Sequence, residues 1–66
     1  MLVYERINNY VKNSGVKQYV IAQKAGYTEK QFSALMTGRK KMKPEDVERI
    51  CAALDVPASE FIKPEL

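Results

Sequence analysis

Three residues, Gly26-Tyr27-Thr28, contain both a helix stop and a helix start, and no other feature limits the fold as much. Gly26 supplies the left-handed backbone that closes a helix. Thr28, with Gln31 three positions later, forms a capping box. In it the Thr hydroxyl accepts from the Gln31 N–H, and the Gln31 side chain reaches back to the Thr28 N–H. A junction this short is too tight for an antiparallel hairpin to lie flat. Ala22 lets the two helices approach closely, Tyr27 buries an apolar ring just before the cap, and the second helix projects from the body.

The other punctuation falls at Gly15, Gly38, Pro44, Pro57 and Pro64, and the pieces between are of helical length. No piece alternates with period two, so no strand is expected. Val3, Ile7, Tyr10 and Val11 share one face of a first helix between Leu2 and Asn13, stopped by Asn13-Ser14-Gly15. A second helix over Lys17 to Ala25 gathers Val20, Ile21 and Ala25. Phe32, Leu35 and Met36 form the apolar face of a third, ending at Gly38. Pro44 suits the first position of a fourth helix, with Glu45 and Asp46 where the helix dipole favours acids. Val47, Ile50, Cys51 and Leu54 are its apolar face, and Asp55-Val56-Pro57 breaks it. Ala58 to Ile62 supports at most a short turn. The expected fold is all-α, a compact bundle of five helices forming one domain over residues 1–66.

Composition narrows the function classes. The 66 residues include one Cys and no His, so no intrachain disulfide is possible and the usual four-ligand zinc site cannot be assembled. A reducing compartment follows, and with no apolar leader or run of about 18 apolar residues the expected location is cytoplasmic. Without His, and with too little chain to wrap a catalytic pocket as well as a core, an enzyme is not expected. No cofactor, metal or small-molecule effector site is expected either. Cys51 reads as a small buried hydrophobe.

The net charge is +3, but its distribution says more. From Lys12 to Lys43 eight positive side chains face a single acid, Glu29, whereas the chain from Pro44 onward carries a net of −4. A basic middle and an acidic end suit a polyanion partner, or else an ordinary solvated surface. The four tyrosines do not interleave with basic residues as a single-strand stacking platform would.

The short Gly-containing junction with a small residue in the preceding helix is a helix-turn-helix arrangement. With Gln18, Ile21-Ala22, Gly26, Tyr27-Thr28, Phe32, Leu35, Gly38, Val47, Ile50, Leu54 and Val56, the chain resembles the lambda-repressor-like, Cro/C1-type (XRE) helix-turn-helix family. Ala34-Leu35-Met36-Thr37-Gly38 and Leu54-Asp55-Val56 through Glu60-Phe61 carry the closest likeness, which runs from the first helix to Phe61. The resemblance implies dimeric binding to double-stranded DNA, with the third helix in the major groove and the start of the second on the phosphate backbone. It places Glu29, Lys30 and Ala34 at base-reading positions, with Thr28 and Ser33 nearby. Gln18 matches a phosphate-clamping glutamine, and Thr37, Arg39 and Lys40 match a phosphate-contacting loop.

Side-chain chemistry agrees for most of these. Lys30 and Gln31 can donate to purine edges, and Ala34 can meet a thymine methyl. Lys17, Arg39, Lys40, Lys41 and Lys43 neutralise phosphates without reading sequence. Glu29 either accepts from cytosine N4 or serves the helix dipole. Family members often carry Glu where this chain has Met36, paired with an Arg of the first helix; here Met36 joins the core instead.

The leading expectation is therefore a sequence-specific regulator of transcription, a repressor, of bacterial, phage or mobile-element origin. The alternative is a protein-interaction or antitoxin-like module on the same fold. In the C-terminal segment Val56 and Phe61 are expected to cap the core, leaving Ile62 and Leu66 as the candidate dimer contact.

Overall fold

The structure, a computed structural model, describes residues 2–61. Four α-helices and one 3-10 turn, without a strand, make up these residues: α1 Val3–Ser14, α2 Gln18–Ala25, α3 Glu29–Met36, α4 Pro44–Leu54, and the turn Ala58–Glu60. The expected fifth helix is thus a single turn. Glu60 N–H donates to the Pro57 carbonyl (3.0 Å) and Phe61 N–H to Ala58 (3.1 Å), the tight i→i+3 closure that three residues after a proline can make.

The starts of α1, α3 and α4 each satisfy a backbone N–H that would otherwise lack a partner, whereas α2 begins at Lys17 without a side-chain cap. At α3 both arms of the expected capping box form, with Gln31 N–H to Thr28 Oγ1 at 3.1 Å and Thr28 N–H to Gln31 Oε1 at 3.0 Å. At α1 and α4 an acid in the first turn reaches back instead. Glu5 Oε1 accepts from Leu2 N–H (2.9 Å), and Asp46 Oδ2 from Lys43 N–H (3.0 Å). Gly26, at φ +85°, ends α2, and Tyr27 N–H returns to the Ala22 carbonyl at 2.9 Å.

The core joins Ile7 and Val11 of α1, Ile21 and Ala22 of α2, Phe32, Leu35 and Met36 of α3, and Val47, Ile50 and Cys51 of α4. Phe61 closes it, and Val56 packs against it, so both residues expected as the cap fill that place. Phe61 sits edge-on to Tyr10, with ring centroids 5.5 Å apart, and its carbonyl accepts from Arg6 Nη1 at 3.4 Å. Met36 is buried, as its apolar neighbours require. Helix α2 packs on α4 and on α3, and α1 packs on α3. With its inner face committed to the core, α3 keeps Glu29 and Lys30 exposed on its outer side.

Candidate nucleic-acid interface

Helical spacing sorts the outer residues of α3 into two neighbouring stripes, Glu29 with Ser33 and Lys30 with Ala34. Glu29 and Lys30 are exposed; Ser33 and Ala34 are half-buried. Thr28, expected near bases, has its hydroxyl engaged in the cap, and the Gln31 side-chain oxygen is engaged in the same box. Thr28 and Gln31 therefore fix where α3 begins.

Glu29 and Ser33 do not stand alone. With Gln18 and Tyr19 of α2, and Ala22 and Phe32 beneath, they line a groove of about 240 Å³ between α2 and α3. Lys17 and Gln18 also border a second hollow, shared with Lys12, Gly15 and Val16, at the turn between α1 and α2. The start of α2 thus has cations on one side and polar groups on the other.

The segment from Thr37 to Lys43 is held at several points. Lys40 N–H donates to the Ala34 carbonyl at 3.1 Å, folding the chain back over the end of α3. The Thr37 hydroxyl donates to the Ser33 carbonyl (2.9 Å) and accepts from Arg39 Nε (3.3 Å). Thr37, expected as a phosphate contact, spends its hydroxyl proton on the end of α3 and at the same time orients Arg39. Gly38, at φ +79°, lies under the Tyr4 ring of α1: a Cβ there would stand 2.6 Å from Tyr4 Cζ. Met42 inserts into the core edge, and Arg39, Lys40, Lys41 and Lys43 remain exposed around it.

A cluster that sequence reasoning missed ties the helix junction to α4. The Tyr27 hydroxyl donates to Asp46 Oδ1 at 2.6 Å, and the other oxygen of the same carboxylate takes the Lys43 N–H. The Arg49 guanidinium lies over the Tyr27 ring, 5.3 Å from its centroid. Burial pushes the Asp46 carboxyl up. The Tyr27 hydroxyl, the Lys43 amide and the charges of Lys40 and Lys43 outweigh it and hold the group below the usual carboxylate value. Tyr27 is raised, by burial first and then by its bond to Asp46, against the opposing pull of Arg49. Tyr27, Lys40, Lys43, Asp46 and Arg49 line one cavity of about 290 Å³, so two of the expected phosphate residues share a site. Asp46 could have been found from its place three residues after Lys43, where an acid reaches back to cap. No spacing links Tyr27 to Asp46. The exposed ring of Tyr19 was likewise missed.

Ile62 and Leu66, the expected dimer contact, lie outside the described residues. Among the described residues no group of three or more His, Cys, Asp or Glu could hold a metal ion, and no helix is long and apolar enough to cross a membrane. A sequence-family profile described as a helix-turn-helix domain matches residues 5–61. No curated protein and no solved structure shows a significant match to the chain.

Proposed function

The chain belongs to the helix-turn-helix domain family, and from that premise we propose that it is a sequence-specific, double-stranded DNA-binding regulator that acts as a repressor. In this reading α3 enters the major groove, and the start of α2 and the segment Thr37–Lys43 rest on flanking phosphates. The observation that carries it is the clamped basic segment directly after α3. Four exposed cations within five residues, on a backbone fastened to Ala34, form a preorganised phosphate site beside an exposed helix face. Glu29, Lys30, Ser33 and Ala34 supply the readout, with Thr28 setting their register. Lys17, Gln18, Arg39, Lys40, Lys41 and Lys43 supply the backbone contacts.

Fluorescence anisotropy with randomised and selected duplexes, across a salt series, tests this reading. Binding should weaken steeply with salt, and selection should converge on one motif. Salt-insensitive binding to a protein, with none to any duplex, would favour the interaction-module reading on the same fold.

A further inference from the structure

The groove between α2 and α3 holds the lone acid of the basic stretch Lys12–Lys43. Glu29 is exposed there, and the hydrogen bonds among the described residues leave its carboxylate unused, along with the side chains of Gln18, Tyr19 and Ser33. The α3 cap does not need Glu29, because Thr28 and Gln31 complete it. Four polar side chains thus converge on a groove without satisfying one another, and its floor is apolar, from Ala22 and Phe32.

We propose that this groove selects cytosine in the major groove, with Glu29 as the acceptor for the N4 amino group and the Tyr19 ring against the C5 edge of the same base. The inference rests on the DNA-binding reading and adds a base identity to it. An ionised carboxylate has acceptors only, so it repels the O6 and N7 of guanine and the O4 of thymine. Adenine offers an amino group, but its N7 acceptor sits beside it and faces the second carboxylate oxygen. Cytosine places a C–H beside its amino group, and a half-exposed aromatic ring next to Glu29 suits that apolar edge. Tyr19 is 49% exposed, with its ring on the groove wall. The surrounding cations, Lys17, Arg39 and Lys40 among them, hold the flanking phosphates, so a single carboxylate can approach the duplex.

The test is selection from randomised duplexes at one fixed salt concentration, by wild type, Glu29→Gln, Tyr19→Ala and Tyr19→Phe, each first checked for native helix content. Wild type should select cytosine at one position of the bound site. Glu29→Gln should lose that preference by about 5- to 100-fold and turn towards adenine, whose N6 and N7 a glutamine pairs in bidentate fashion. It should also bind random duplex more tightly than wild type, since one phosphate-repelling charge is gone. Tyr19→Ala should blur the same position, and Tyr19→Phe should keep it. An unchanged motif with Glu29→Gln would overturn the proposal and leave Glu29 a helix-dipole residue. Wild type binding no duplex at all would instead overturn the DNA-binding reading, and this inference with it.

Discussion

Gly38 shows how a single residue governs the basic segment. Its φ of +79° is a conformation that costs an L-residue about 1–2 kcal/mol, and the Tyr4 ring occupies the space where a side chain would go. Gly38→Ala should therefore lower stability by about 2 kcal/mol or more in urea denaturation. Measured in a Tyr4→Ala background, where the clash is gone, Gly38→Ala should cost only the backbone strain. Lys30 belongs to the other kind of residue, exposed and free of structural duty. Lys30→Ala should leave stability unchanged and cost about 1–3 kcal/mol of specific DNA affinity, with relaxed preference at one base position. Equal losses on specific and random duplexes would make Lys30 a phosphate contact. The turn role of Gly26 and the burial of Met36 were legible in the sequence, because sterics and helical spacing act on neighbours in the chain. That Tyr4 presses on Gly38 was not, since 34 positions separate them and no local pattern joins the two.

Elements here communicate through Asp46, which serves two at once. One oxygen caps α4 and the other holds the tyrosine of the α2–α3 junction. Tyr27→Phe keeps the ring over Phe32 and under Arg49 but removes the hydroxyl. It should cost about 1 kcal/mol, less than a fully buried charged bond, because water reaches this half-buried site. An unchanged urea midpoint would mean that water replaces the bond without loss. The pH dependence follows from the sign of the Asp46 shift. Its folded value lies below the unfolded one, so its contribution is present above about pH 4 and is lost as pH falls through the folded value. Wild type should lose stability more steeply than Asp46→Asn in that acid range. Helix boundaries came through the sequence well, since Thr28, Pro44 and Asp55 act locally. The link between junction and α4 needed the assembled core to bring Tyr27 and Asp46 together.

At the scale of the whole molecule, charge is divided along the chain. The loop cations stand out from the core on one segment, while the acids gather from Pro44 onward. Replacing Arg39 and Lys40 together by Gln should weaken binding to every duplex and make the slope of log K against log salt shallower by about two units. An unchanged slope would take both residues off the DNA. One α3 reads too few base pairs for a unique address, so two copies on half-sites about 34 Å apart are expected. Sedimentation equilibrium and footprinting check this. A monomer at high micromolar concentration protecting a single half-site would show that one copy acts alone.

Cys51 gives this small protein a built-in reporter. It is the only thiol, it lies in the core at 2% exposure, and burial raises its pKa, so the folded molecule hides it from alkylating reagents in two ways. Labelling then counts molecules whose core has opened, and its rate relative to the unfolded chain measures the opening equilibrium without any denaturant. A duplex that binds only the closed form must slow that labelling by one plus its concentration divided by Kd. One buried sulfur atom can thus read out the integrity of the fold and, through it, test the proposed hold on DNA.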